Sequence, residues 1–357
     1  MAATSITGRF SWLAIRAVAL LLIAGLGLAV FYVGSPGALG GTTYGIMLLA
    51  KIVMTGMLLA LGGTNLQIVR AIRNQLLAAL LPLRRFAEAE AGIGLTIFLA
   101  AASLTSTPPA MDVRRDAVTG PEIIQRFRPT WPRMETPPLA ALSPATSFQS
   151  SLRPSQPGSF VPGQVLQIDT PADKAWSEYN HHWSGLVVLA IGLVALLARR
   201  FSWARLWPLL FLGLAVFLFI RSDSENWPLG PRGFWESFQV AEVAQHRLFV
   251  LLIVIFAVFE SAVQTNHLPP RRAGLIFPCV CAAGGALLLT HSHSLINAKE
   301  EFLVELSHIP LAILAVVAGW SRWLEIRLPP ERCRGFAWIW PVCFVLIGVV
   351  LLDYREN

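Results

Sequence analysis

The chain has seven histidines, and six of them sit at matching ends of apolar runs in its second half. His181 and His182 open one run and His246 opens another. His291 and His293 close a third, and His308 lies about two turns inside a fourth, roughly 9 Å below its end at a helical rise of about 1.5 Å per residue. His267 falls at the opposite ends. Imidazole is the commonest metal ligand and suits Cu, Zn, Fe and Ni. Four segments that deliver histidine to one depth are how helix bundles assemble a metal or cofactor site. The competing reading is plainer: histidine favours membrane interfaces, and the six would then be polar residues without a ligand.

Carboxylates accompany these histidines at helical spacing. Glu301, Glu305 and His308 stand at i, i+4 and i+7 and so share a helix face, and Glu242 precedes His246 by one turn. Such a carboxylate can ligate directly or accept the second ring N–H and fix the tautomer. Glu305 lies deepest in an apolar run, where an acid is seldom idle. Adjacent histidines are less informative than they look. The rings of His291 and His293 point about 200° apart on a continuous helix, and of His181 and His182 one is expected to face inward. The expected ligand set is His181, His182, His246, His291, His293, His308 and Glu305, with one residue of each pair serving beside His246 and His308. Glu242 and Glu301 stand behind it.

The first half carries different polar residues. Lys51 is in mid-run, Asn65 ends that run and Glu90 begins the next. A lysine at such depth is costly unless it snorkels or finds a partner. Met47, Met54 and Met57 follow the same segment and could pass soft Cu(I), although methionine is more often plain packing. The four cysteines make no disulfide framework, and Cys279, Cys281 and Cys343 lie within apolar runs as small hydrophobes. Walker loops, nucleophile elbows and Cys-x-x-Cys pairs are absent, so the pattern favours a protein that is not an enzyme.

The elements that hold these residues follow from composition. Hydrophobic residues make up 55% and charged residues 14% of 357, with a mean hydropathy of +0.59. A soluble domain carries about 25% charged residues. Apolar runs long enough to cross about 30 Å of hydrocarbon recur, without the alternation of barrel strands. The sequence predicts an all-α, polytopic transmembrane helix bundle of about nine spans: 10–33, 43–65, 88–106, 182–198, 204–220, 247–265, 273–290, 302–321 and 335–352. The net charge of +7 is mostly arginine, gathered in alternate short loops, so it reflects membrane topology rather than nucleic acid. That asymmetry predicts a cytoplasmic amino terminus and an outward-facing histidine end. Three regions are expected: a three-span unit over 1–109, a Pro-rich connection over 110–181, and a six-span histidine-bearing unit over 182–357. Within the connection, Pro121 to Phe127 reads as a short amphipathic piece lying along the membrane surface.

Thr43-Tyr44-Gly45, Lys51, Asn65, Arg84-Arg85, Glu90, Gly94 and Leu104-Thr105-Ser106-Thr107-Pro108-Pro109 resemble, in order and spacing, the copper-resistance protein D (CopD) domain. The second half is similar to the carboxyl-terminal region of longer bacterial members. The similar stretches are Glu178 to Gly185, Gln245-His246-Arg247, Leu289 to His293 and Leu306-Ser307-His308. The resemblance implies a bacterial inner-membrane protein of copper uptake, delivery or resistance, working with the lipid bilayer and a periplasmic copper chaperone or further subunits. Longer members carry helices ahead of this region, so this sequence is expected to bind copper without moving it, or to serve a larger assembly. Two other classes stay open: a redox protein with b-type haem on two of the histidines, and an accessory or assembly subunit whose histidines contact a partner.

Overall fold

A computed structural model describes residues 2–73, 80–113, 117–142, 170–239, 241–290 and 298–356. His291 and His293 lie outside the described residues, as do the side chains of Glu242 and Glu301. Among the described residues the chain is helical, with one isolated bridge between Asn226 and Arg232. The helices are α1 (Ala2–Val33), α2 (Pro36–Gly41), α3 (Thr43–Arg73), α4 (Leu80–Leu104), α5 (Gly120–Arg126) and α6 (Pro171–Leu197). They continue with α7 (Leu210–Arg221), α8 (Ala241–Gln264), α9 (Ile276–Thr290), α10 (Ala298–Arg327), α11 (Pro330–Cys333) and α12 (Phe336–Leu352). Among the described residues, eight segments are long and apolar enough to cross a membrane. The ninth expected span, 273–290, is described only as the shorter apolar stretch Ala273–Leu289. This is the all-α polytopic bundle that the apolar runs predict.

Helix starts follow the local sequence. Thr170 and Asp173 form a reciprocal cap at the head of α6, with the Thr170 N–H donating to Asp173 Oδ2 at 2.9 Å and the Asp173 N–H donating to Thr170 Oγ1 at 3.3 Å. Pro171 follows at the first helical position, where its missing N–H costs nothing. The same cap extends α6 outward by roughly three turns beyond the start expected at 182, placing Glu178, His181 and His182 on a helix.

Glycines set how closely the helices meet. A Cβ on Gly348 of α12 would lie 2.5 Å from the Leu189 nitrogen of α6, and one on Gly192 of α6 would lie 2.6 Å from the Val345 nitrogen of α12. Backbones therefore touch along this pair, the usual use of small residues between membrane helices. Gly285 of α9 and Gly319 of α10 do the same for their pair, within 2.8 Å of Ala312 O and Pro278 O. The front of the chain joins the back through one core, in which Met47, Met54 and Ile93 pack with Phe302, Ile309 and Val316. Gly92 of α4 lies under the Trp320 ring, where no side chain would fit. By contrast, the Trp12–Val33 stretch of α1 is exposed along nearly its whole length, and only Val33 at its end is buried.

The arginine-rich end of the bundle is closed by a buried ion network that the apolar pattern did not foretell. Arg322 of α10 reaches Glu260 of α8 at 2.9 Å and Glu325 at 2.7 Å. Arg199, just past α6, meets the other oxygen of Glu325 at 2.9 Å, and the Trp340 indole N–H donates to Glu325 Oε2 at 2.7 Å. Arg199 also donates to the Ala337 carbonyl. Four helix ends are thus tied by charges that would be expensive to bury singly.

Two outcomes follow from this packing. Gly348→Leu should separate α6 from α12 and lower the melting temperature of the purified protein, by a penalty of about 1–3 kcal/mol or more. Gly213→Leu, at a position with open space around it, should leave the melting temperature unchanged. Arg322→Met should cost about 3–5 kcal/mol by stranding Glu260, and adding Glu260→Gln should recover part of that loss in the same thermal assay.

Candidate functional site

Three elements converge at the end of the bundle opposite the ion network. His181 comes from α6, His308 from α10, and Tyr354 from the segment just after α12. The His181 and His308 ring centroids are 5.8 Å apart, with the planes at 85°. The Tyr354 ring stacks on His181 at 3.7 Å and meets His308 edge-on at 5.8 Å. His308 and Tyr354 are buried.

Hydrogen bonds fix the tautomer of both histidines. His181 Nδ1 lies 2.9 Å from the Ser177 carbonyl, and His308 Nδ1 lies 2.9 Å from the Val304 carbonyl, each one turn back on its own helix. A carbonyl only accepts, so each Nδ1 carries a proton and donates it there. An anchored Nδ1–H with a basic Nε2 is the usual preparation of a metal-binding imidazole. With metal–nitrogen bonds of about 2.0–2.1 Å, two imidazoles on one ion have centroids roughly 4.5–6 Å apart, a range that includes this pair.

His182 has a different environment. Its Nδ1 accepts the Arg133 backbone N–H at 2.7 Å, and its Nε2 lies 2.8 Å from the Tyr354 carbonyl, to which it donates. Both ring nitrogens are engaged, so in this arrangement His182 has no lone pair for a metal. It joins the connecting segment, α6 and the chain end instead. Of the adjacent pair, His181 is thus the residue that turns towards His308. His246 Nδ1 lies 3.2 Å from Asp223 Oδ1, a carboxylate partner on the turn after α7.

The remaining candidates divide. Glu305 is buried one turn before His308 on α10. Met54 is fully buried and Met47 nearly so, within the core shared by α3, α4 and α10; Thr107 Oγ1 points at the Met47 sulfur from 4.0 Å. Lys51 is partly exposed on the same helix, and Glu90 lies against Asn65 between α3 and α4. Among the described residues, three or more His, Cys, Asp or Glu side chains do not come together in a metal-binding group.

The connecting segment caps this end of the bundle. The Val118 N–H donates to Gly41 O at 2.8 Å, Arg221 Nη2 to Thr136 Oγ1 at 2.6 Å, and Arg133 Nε to Glu178 Oε2 at 3.0 Å. The short helix α5 begins with Thr119 donating its N–H and hydroxyl to Glu122, each at 2.7 Å. Those bonds, with Lys299 at 3.2 Å, hold the Glu122 carboxyl down to about 2. The amphipathic piece predicted over 121–127 is therefore a helix, but its Arg126 is buried in the protein rather than spread on a surface.

Tyr354 was not foreseen from sequence, since a tyrosine in a short polar tail carries no periodic signal. Burial and the neighbouring Glu356 carboxylate push its phenol well above the usual tyrosine range. It stays protonated and donates to Glu356 Oε1 at 2.9 Å, and Ser177 Oγ donates to the same oxygen at 2.9 Å.

No curated protein and no solved structure matches the chain. A family model described as copper resistance protein D matches residues 4–104, which comprise α1 to α4. With membrane-length helices continuing well beyond that region, the chain is a multi-pass membrane protein whose first four helices are similar to the copper resistance protein D family.

Proposed function

We propose that this protein binds copper at the histidine end of its bundle, through His181 and His308, for uptake, delivery or resistance at the bacterial inner membrane. The observation that carries the reading is the convergence of these two imidazoles from separate helices, each with Nδ1 anchored to a backbone carbonyl. The match of residues 4–104 to the copper resistance protein D model supports copper as the cargo. Further ligands come from His291 or His293, which follow α9 at the same end, and from Glu305. Glu242 and Glu301 adjust the local charge, and His246 with Asp223 forms a second polar pair on the same side. Tyr354 lies against both rings, which favours a bare ion over a porphyrin whose plane would have to pass between them.

The histidine end faces the periplasm in this reading, because the opposite end gathers the arginines of the short loops. Copper then arrives from a periplasmic chaperone or other subunits, and the connecting segment is the surface that such a partner meets first. A route inward past Met47 and Met54 would need those packed thioethers to part, so binding and delivery are better supported than passage through the front helices.

Two measurements test this. His181→Ala and His308→Ala should each lower the copper retained by purified protein at least about 10-fold, the range for losing part of a metal site. His182→Ala should lower the melting temperature and spare the copper. Unchanged copper in both of the first two variants, or a strong Soret band in the purified protein, would overturn the assignment. For orientation, a cysteine in place of the 96% exposed Trp131 of the connection (Trp131→Cys) should react with an impermeant maleimide in intact cells. Cys333 at the arginine-rich end should react only after permeabilisation, and the reverse pattern would invert the topology.

A further inference from the structure

Beside the histidine pair is a cavity of about 360 Å³ between α5, α10 and the end of α12. Its walls are apolar, from Leu303, Leu306, Val349 and Val350, and its polar end is Arg126 with Asp353. Arg126 is only 3% exposed, yet its Nε and Nη2 make no hydrogen bond. The nearest cation-binding contact is the Tyr354 ring, 5.4 Å from the guanidinium carbon. Asp353, which shares the cavity, and Glu356 attract it and Arg355 repels it, but among the described residues no carboxylate comes within ion-pair distance of it. A buried guanidinium without an anion is costly, and its planar fork suits a phosphate or carboxylate. Such a residue aimed into a ligand-sized, mainly apolar space calls for a molecule with an anionic head and a hydrocarbon tail.

We infer that this cavity holds the phosphate head of an anionic membrane phospholipid, with Arg126 as its counter-ion and a tail along Val349 and Val350. A membrane source is favoured over a free oxyanion because one wall opens towards lipid: Val349 lines the cavity and is 49% exposed, on the same outer face of α12 as Leu346 at 45%. The site is built by elements that the chain clamps together, since Lys299 of α10 holds Glu122 of α5 at 3.2 Å, one turn from Arg126. It stands apart from the metal reading, as neither His181 nor His308 lines the cavity.

The test uses delipidated full-length protein in detergent and three probes: phosphatidylglycerol, a diacylglycerol of the same tails, and inorganic phosphate. Native mass spectrometry should show one phosphatidylglycerol retained, with no retention of diacylglycerol and no displacement by phosphate. Arg126→Gln should reduce that retention roughly 10-fold or more, the effect of losing charge-assisted hydrogen bonds. Leu306→Trp, which fills the cavity and keeps the arginine, should reduce it similarly and covers the case in which Arg126→Gln fails to fold. Equal retention in wild type and both variants would overturn the site. Displacement of the lipid by inorganic phosphate would overturn its assignment to lipid.

Discussion

The backbone contact between α6 and α12 is the constraint on which the histidine end depends. Membrane helices gain little from the hydrophobic effect once they are in lipid, so what holds them is close packing and polar bonds between them. Gly192, Gly185 and Gly348 let the two backbones approach to distances that any Cβ would forbid. That approach fixes the angle and height at which α12 ends, and Tyr354 follows within two residues. The Tyr354 ring then stacks on His181 while its carbonyl accepts from His182. A shift of one or two ångströms between the helices would break both contacts, because hydrogen bonds weaken steeply beyond about 3.2 Å.

The two ends of the bundle handle polar groups in opposite ways. At the arginine-rich end Arg322, Glu260, Glu325 and Arg199 complete one another, and Trp340 and Gln264 add donors. A buried network of paired charges resists rearrangement, since breaking one member strands another, even though Glu260 Oε2 and Arg322 Nε make no hydrogen bond. At the histidine end the bonds instead fix orientation: both Nδ1 atoms are held by backbone carbonyls one turn back on their own helices. Arg126 adds a guanidinium with unmade hydrogen bonds.

Much of the fold was legible in the sequence because lipid imposes a simple rule. Backbone groups must bond within their own segment, so apolar runs of sufficient length become helices and their lengths can be counted. The Thr170-Pro171 cap was equally local, yet its effect was missed, because the apolar run starts later than the helix does. The site was legible only in outline. Six histidines could be assigned to one end, but which of two adjacent rings turns inward depends on a neighbour far along the chain. His182 turns to Arg133 and Tyr354, and His181 to His308. Tyr354 and Arg126 left no trace in the periodicity, since each comes from a short polar segment that tertiary contacts bury. The buried charges of α8 and α10 were likewise hidden, as Glu260 and Arg322 look like ordinary span ends until they are seen to meet.

The family match ends at residue 104, while the paired histidines begin at 181, so their connection is a question of packing. Phe302, Ile309 and Val316 lie on α10, the helix that carries His308, and they form one core with Met47, Met54 and Ile93. Trp320, further along α10, covers Gly92 so closely that neither helix can slide past the other without a clash. Interiors packed to this density transmit displacement rather than absorb it. A movement of α3 or α4 must therefore reach α10, and His308 with it. The front helices need not touch the histidine pair to influence it: through α10 they set where one of the two anchored imidazoles stands.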